Sequence, residues 1–568
     1  MNEVDQARTL FFEALDFLDA SDFEMGEARL RQALPLSPDN PAILTNLSMA
    51  LLQQGKRADA REFAAKACIA NPRNVEALLV LADCHTHAGD LSDALEDYDR
   101  IIALEPGIAE AHNNRGLLLH RLARPAEALA SCDRALALSP SMSDAHVNRG
   151  NALSALGRPD EALAAYDQAL ALNPDRAEAH LGRGNLFFRE SRHDEALAAY
   201  DRALTLKPGL AEAWLGRGNL LSRLKRFDAA LADYDKALAL DPALAGAELG
   251  RGNAQRERKR YEAALHAYEA ALVLKPDLAE AYLGRGDALY DLKRYPEALV
   301  AFDRAIAFQA GCANAWLGRG DALRVMGQGA DAIAAYRQAL ALGGNADMIR
   351  YSLAALGAEP SPSLSPQNYI VGLFDMYAET FDRDLIDKLK YQSPQLLAQL
   401  IARTVPAGAR LDILDIGCGT GLMGDGLRAL KRILTGVDLS PNMLEQARRR
   451  GIYDRLVKSD IAAFLETQTD QFDLTVSTDV FIYIGDLAAI FAGVRRALRS
   501  DGLFCFSVEA VDDGDFVLRP TLRYAHSLAY LTRLAGQNRM VVAAIEPHAV
   551  RREAQGSVAG YNIVMRCC

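Results

Sequence analysis

A proline returns every 34 residues through the first half of the chain, at Pro38, Pro72, Pro106, Pro140, Pro174, Pro208, Pro242 and Pro276. A fixed period of that length constrains the fold strongly, because each repeat is one small supersecondary unit that can bury its apolar face only against its neighbours. Two more columns keep the same register. Gly116, Gly150, Gly184, Gly218, Gly252, Gly286 and Gly320 are expected in the first helix of each unit, where two helices cross closely, and Ala128, Ala162, Ala196, Ala230, Ala264, Ala298 and Ala332 do the same in the second. Tyr166, Tyr200, Tyr234, Tyr268, Phe302 and Tyr336 supply packing bulk. The register gives about ten units over residues 1–346, the first recognisable only loosely from Ala7, and it loosens at its end, where Ala310 and Gly344 stand in the proline column. Residues 347–357, beginning DMIRYSLAAL, read as a helix that caps the last apolar face.

Three columns in one register resemble those of tetratricopeptide proteins. The resemblance implies a right-handed superhelix of helix pairs whose inner surface is lined by the first helix of each unit. One residue beyond each glycine, that surface carries Asn151, Asn185, Asn219 and Asn253, followed by Asp287 and Asp321. A side-chain amide offers a donor and an acceptor together, so a ladder of them is suited to grip an extended peptide whatever its side chains. The alternative is that asparagine is simply a common consensus residue of the repeat. The arginine column (Arg115, Arg149, Arg183, Arg217, Arg251, Arg285, Arg319) suggests an anion track, but packing and solubility explain it better.

Composition changes abruptly at 358–368, where Pro360, Pro362 and Pro366 alternate with serines. Prolines without hydrophobic period predict an extended linker of limited flexibility, and place a second domain at 369–568. Its opening segment carries Tyr369, Phe374, Tyr377 and Phe381. Farther on, the apolar run Leu411–Ile416 reads as a buried parallel strand that breaks into Gly417, Cys418, Gly419, Thr420 and Gly421 before a helical pattern. Glycines let the backbone bend sharply and approach a ligand. A second apolar run, Ile433–Val437, ends in Asp438, placed to accept both hydroxyls of an adenosine ribose. The site is therefore expected to bind an adenosine-containing cofactor.

Gly419, Gly421 and Gly424 also fit the dinucleotide pattern G-x-G-x-x-G, which alone is weak. The frame Asp415-x-Gly417-x-Gly419-x-Gly421, directly after the strand, resembles instead the first motif of class I S-adenosylmethionine-dependent methyltransferases. Downstream order agrees: Ser459-Asp460-Ile461 after a third strand at Arg455–Lys458, a fourth strand through Phe472-Asp473-Leu474 ending near Asp479, a helix, and a fifth strand at Leu503–Val508. The resemblance covers roughly the last third of the chain. It implies an α/β Rossmann-like domain after the all-α superhelix, S-adenosyl-L-methionine as cofactor, Asp460 and Ile461 on the adenine side and Asp479 on the methionine or substrate side. Tyr377-Ala378-Glu379-Thr380-Phe381-Asp382 matches a segment that folds over the cofactor in related enzymes, making Tyr369, Tyr377 and Phe381 candidate lid residues; plain core packing is the alternative. Together these features, with Arg523-Tyr524-Ala525-His526-Ser527, resemble the bacterial methyltransferases that carry tetratricopeptide repeats at their N-terminus.

A net charge of −12 argues against a nucleic-acid partner, since phosphate binding draws on clustered Lys and Arg. No Asn/Asp-Pro-Pro-aromatic motif follows the fourth strand, where Thr478-Asp479-Val480-Phe481 stands, and no Pro-Cys nucleophile loop is present, which disfavours base methylation. Eight scattered cysteines without C-x-x-C spacing predict reduced thiols and no metal. The first residues lack the layout of a signal peptide and no run approaches a membrane span, so a cytoplasmic, membrane-free protein is expected.

Methyl transfer needs orientation and desolvation, and a base only where the acceptor arrives protonated. His526 and Tyr524 are the candidate catalytic groups, His526 as a base at neutral pH or, placed at the start of a helical stretch from Ala525, as a structural residue. The expected function is methyl transfer, with the array recruiting a protein or peptide, either acceptor or partner. A scaffold with an inert or merely sensing methyltransferase fold, or a small-molecule enzyme whose repeats only mediate assembly, are the alternatives.

Overall fold

The computed structural model describes residues 3–378, 381–383, 392–553 and 556–568. Contacts divide the chain into two compact units, Met1–Pro276 and Asp277–Cys568. The fold class is the expected one, a helical repeat array followed by an α/β domain with a mostly parallel sheet.

In the first unit helices of 11–17 residues alternate in antiparallel pairs, from Glu3–Asp19 with Phe23–Ala33 to Ala245–Glu257 with Tyr261–Leu274. Proline opens several second helices at their first turn, as at Pro125 and Pro159, where its missing N–H costs nothing. The glycine and aromatic columns prove to be two halves of one joint. A Cβ on Gly218 would stand 2.8 Å from the Tyr234 ring, and one on Gly250 in the following unit 2.5 Å from the same ring. Tyr166, Tyr200 and Phe302 are clasped in the same way between a glycine of their own unit and one of the next, which is why the glycine and aromatic columns keep one period. Where the ring is absent, at Cys132, the sulfur takes its place against Gly116.

The second unit begins with the last repeats, from Ala279–Asp291 to Gly329–Ala341, and the helix Ala346–Ala355. The α/β part then contributes β1 (Leu411–Ile416), β2 (Lys431–Asp438), β3 (Arg455–Lys458), β4 (Phe472–Ser477), β5 (Leu498–Glu509), β6 (Phe516–Leu518), β7 (Tyr524–His526), β8 (Met540–Glu553) and β9 (Gly556–Cys567). Seven strands form one sheet in the order β3-β2-β1-β4-β5-β9-β8, parallel through β5 and antiparallel at β9 and β8; β6 and β7 pair as a separate hairpin. Burial on both faces explains the near-continuous apolar runs. Leu414, Ile416, Phe504 and Phe506 pack with Phe491 and Val494 of the helix Ala488–Ala497. Ile413, Leu434 and Cys505 pack on the other face with Leu397 and Ile401 of the helix Ser393–Thr404.

The Pro/Ser stretch is extended, as its prolines require, but it is bound along its length. Leu364 forms an antiparallel bridge with Ile484, and Ser365 N donates to Tyr483 O at 3.1 Å. Gly485 N and Asp486 N donate to Ser363 O at 2.8 and 3.1 Å, and Tyr524 Oη donates to Pro362 O at 2.7 Å. From the capping helix, Tyr351 places its hydroxyl 2.6 Å from Ser365 Oγ and donates to Leu522 O at 3.0 Å. Tyr351, Ala354 and Ala355 share one buried cluster with Leu518, Leu522 and Tyr524 of the β6–β7 hairpin. In the last repeat Arg324 Nη1 donates to Pro520 O at 2.6 Å. The end of the array and the α/β part therefore form one body within this unit.

Candidate functional site

The site is built at the C-terminal ends of β1, β2 and β4, where an open parallel sheet leaves a crevice. After β1 the chain turns at once, Gly417 N and Cys418 N donating to Val437 O at 2.8 and 3.1 Å. Gly417 has φ +72°, and a Cβ there would lie 2.3 Å from Val480, so both conformation and space require glycine. A Cβ on Gly419 would meet nothing within 4 Å, leaving the backbone open to the cavity. Gly419 N donates to one oxygen of Asp438 at 2.9 Å and Ser440 N to the other at 2.9 Å. Each oxygen keeps a further lone pair, so the carboxylate is held in place with acceptor capacity to spare. Burial pushes its pKa up, against the pull of those backbone donors.

A cavity of about 320 Å³ joins Gly417, Cys418, Gly419, Asp438, Asp460, Ile461 and Asp479 in one wall. Asp460 caps the helix Ile461–Glu466 by accepting from Ala463 N at 3.1 Å. Asp479 has φ +56° and its N–H donates to Ser507 Oγ at 3.0 Å, so β5 fixes the turn after β4. Two residues expected with this group stand aside. Asp415 is 1% exposed behind the turn, accepts from Tyr453 Oη at 2.6 Å, and is pushed up to about 7 by burial. Gly421 abuts Tyr453 and Arg450 rather than the cavity.

The opposite wall comes from the segment before the core. Phe374 of the helix Gln367–Tyr377 and Phe381 line the cavity, edge to face at 5.9 Å, and Phe374 meets Tyr483 at 5.4 Å. Asp375 accepts from Ser440 Oγ at 2.5 Å, and Asp382 accepts from Thr420 Oγ1 at 2.5 Å and pairs with Arg450. Tyr369, expected in the lid, turns instead to Tyr351, 6.0 Å away, and lies outside the cavity lining. The Tyr377 side chain, Glu379 and Thr380 lie outside the described residues. Phe374 stands in the aromatic stripe and Arg523 opens the Arg523-to-Ser527 stretch that carries part of the resemblance, but Asp375 and Arg450 carried no local signal.

His526 and Tyr524 require correction as catalytic candidates. His526 sits in β7, not at a helix start, and is fully buried; Ser527 caps the helix Leu528–Gln537 that follows. Its Nε2 lies 2.9 Å from Ile484 O and 3.0 Å from Gly485 O, so that nitrogen carries the proton, and Nδ1 has no partner. Charging the ring would leave a second buried N–H without an acceptor, and burial depresses its pKa to about 4. Tyr524 is fully buried and donates to Pro362 O. Because the folded His526 is held below its ordinary 6.5, stability is expected to fall as pH drops from 6.5 through about 4. His526→Gln, which keeps a donor without that titration, should flatten this limb in urea unfolding measured at successive pH values.

In the array the asparagine oxygens are already engaged. Tyr166, Tyr200, Tyr234 and Tyr268 donate to Oδ1 of Asn151, Asn185, Asn219 and Asn253 at 2.8–2.9 Å. The expected ladder of paired donors and acceptors thus presents chiefly its N–H groups. Asn219 and Asn253 share a cavity of about 410 Å³ with Arg223 and Glu257. The arginine column is tied down between helices, Arg115 to Asp99 at 2.6 Å, Arg149 to Asp133 at 2.7 Å and Arg319 to Asp303 at 2.8 Å. Among the described residues no cluster of His, Cys, Asp or Glu is arranged to hold a metal, and no helix is long and apolar enough to cross a membrane.

Residues 414–506 match a family described as a methyltransferase domain. Tetratricopeptide-repeat families match residues 13–75, 68–107, 88–143 and 147–211, then 211–244 and 252–293. The chain is 41% identical over 85 residues to methyltransferase-like protein 27 of Homo sapiens, covering 15% of this chain and 34% of that protein. It is 40% identical over 108 residues to the malonyl-[acyl-carrier protein] O-methyltransferase of Geobacter sulfurreducens, covering 18% and 40%. It is 33% identical over 117 residues to the ubiquinone biosynthesis O-methyltransferase of Xanthomonas oryzae pv. oryzae, covering 19% and 47%. The chain thus spans from about a third to about half the length of these curated relatives. It carries a methyltransferase domain and multiple tetratricopeptide repeats, and its relatives are methyltransferases with varied substrates.

Proposed function

We propose that this chain is an S-adenosylmethionine-dependent methyltransferase whose repeat array holds a protein or peptide, the methyl acceptor or a partner. The observation that carries the cofactor reading is the Asp438 carboxylate, tethered to Gly419 N and Ser440 N in one cavity with Asp460 and Ile461. In this reading Asp438 accepts the ribose hydroxyls, Asp460 and Ile461 receive the adenine, and Asp479 borders the methionine end. Asp415 and Gly421 shape the turn. The cofactor supplies a methyl group on a positive sulfur. Phe374 and Phe381 exclude water and offer ring faces to that cation. Calorimetric titration of the whole chain with S-adenosylhomocysteine and with NAD tests the reading; tight binding of NAD alone would refute it.

Partner binding rests on the array. An array tethered to an enzyme raises the local concentration of whatever it binds. The N–H groups of Asn151, Asn185, Asn219 and Asn253 are the proposed donors to an extended peptide. Replacing all four with alanine should leave S-adenosylhomocysteine affinity within about twofold while lowering methylation of protein acceptors in a lysate by tenfold or more, each lost hydrogen bond being worth about 1 kcal/mol. If label enters only small molecules and the four substitutions change nothing, the repeats serve assembly alone. If the cofactor binds and no label is transferred, the scaffold reading replaces this one.

A further inference from the structure

The residues assigned above to the cofactor follow the order of the strands β3-β2-β1-β4: Asp460 stands after β3, Asp438 after β2, Gly417 and Gly419 after β1, and Asp479 after β4. On that reading the adenine lies towards β3 and the methionine end towards β4. Beyond Asp479 the cavity continues along the turn Phe481–Tyr483 and Ile484, and along the chain that leaves the capping helix and is bonded to that turn. The acceptor must approach the methyl carbon in line, opposite the sulfur, so its place is on this side.

Among the described residues this side is mainly hydrocarbon. Leu364 is held by its backbone bridge to Ile484, while its side chain stays 57% exposed in the cavity wall. Just beyond it the helix Gln367–Tyr377 turns one face to the cavity, with Gln367, Ile370 and Phe374 at i, i+3 and i+7. Ile482, itself buried, lines the cavity from the turn after β4. One exposed leucine would mean little, but several large apolar side chains around one cavity fit an apolar ligand. The polar groups on this side are engaged or peripheral: Ser365 meets the Tyr351 hydroxyl, Arg523 already has a partner, and Gln367 is exposed at the rim.

We propose that the segment joining the array to the α/β part selects the acceptor: Leu364 and Ile370, with Ile482, hold an apolar body, a hydrocarbon chain or ring, beside the reacting atom. The proposal rests on the methyltransferase reading above and adds to it the class of acceptor. The stretch that connects the repeats to the enzyme is then also the stretch that reads the substrate. Its backbone bonds to residues 483–486 hold Leu364 in place, so the side chain is free to spend its surface on the ligand.

The test uses the whole chain saturated with S-adenosylhomocysteine, so that the cofactor's part of the cavity is filled. 1-Octanol and 1-butanol are titrated by calorimetry as probes, and the longer chain is expected to bind about tenfold more tightly or better. Leu364→Asn keeps the backbone bridge and should lower octanol affinity about fivefold or more, with S-adenosylhomocysteine affinity within about twofold; Leu364→Met should keep both. Val541→Asn, at a likewise exposed apolar residue on β8, should change neither. In a lysate supplied with methyl-labelled cofactor, octanol should suppress transfer where butanol at the same concentration does not. Label in the small-molecule fraction then identifies a free apolar acceptor, and label in the protein fraction one borne on protein. Equal binding of the two alcohols, octanol affinity unmoved by Leu364→Asn or lowered as much by Val541→Asn, or transfer indifferent to octanol overturns the proposal while leaving methyl transfer intact. Failure to bind S-adenosylhomocysteine overturns both.

Discussion

Asp438→Ala is expected to weaken S-adenosylhomocysteine binding by about a hundredfold, about 3 kcal/mol. Two losses add. Charge-assisted hydrogen bonds to the ribose hydroxyls are worth about 2 kcal/mol together. The substitution also releases Gly419 N and Ser440 N, which the carboxylate now holds at 2.9 Å each, so the glycine turn loses the anchor that aims its backbone into the cavity. Asp438→Asn keeps one oxygen but sets an N–H₂ against one of those donors, and should fall between the two. Calorimetry on the whole chain measures the affinities, and urea unfolding checks that the fold survives. A change below about threefold for alanine would remove Asp438 from the site.

Tyr351→Ala should cost the Asp277–Cys568 unit about 3–5 kcal/mol, the usual price of an aromatic removed from a core. The ring is 2% exposed between Tyr369 and Tyr524, and its hydroxyl serves Ser365 and the carbonyl of Leu522. Without it the segment 362–365 loses its backing, and that segment forms one wall of the cavity through Leu364 and Ser365. Hydrogen exchange should accordingly speed up at the amides of Ser365, Gly485 and Asp486, whose present acceptors are Tyr483 O and Ser363 O. Tyr351→Phe keeps the packing and should cost only about 1 kcal/mol, with protection of those amides retained. Unchanged exchange in the alanine variant would show that the capping helix does not support the cavity.

This contact explains why the reach of each unit was not legible beforehand. Alternating proline and serine read as a linker because polar, extended residues have no local signal of burial, yet their backbone groups find partners in residues 483–486 and 524, more than a hundred positions away. The same holds for Ser440 on Asp375, 65 residues apart, and for Arg450 on Asp382, 68 apart. His526 was ambiguous for a related reason. Whether a histidine is a base or a strut depends on what its two nitrogens face, and Ile484 and Gly485 arrive from another loop.

By itself the sequence determined what rests on contiguous residues: a 34-residue period that only stacked helix pairs satisfy, and a strand–glycine turn–strand ending in Asp438 that only an open parallel sheet satisfies. Periodicity and turn chemistry are local, so they survive in one dimension. The tertiary structure alone decided which side chains share the cavity, that Asn151, Asn185, Asn219 and Asn253 spend their oxygens on tyrosines fifteen residues on, and that Arg523 lines the same cavity as Leu364, Gly417 and Asp438. Those are pairings between distant segments, set by the packing of whole elements and not by the propensity of any one residue.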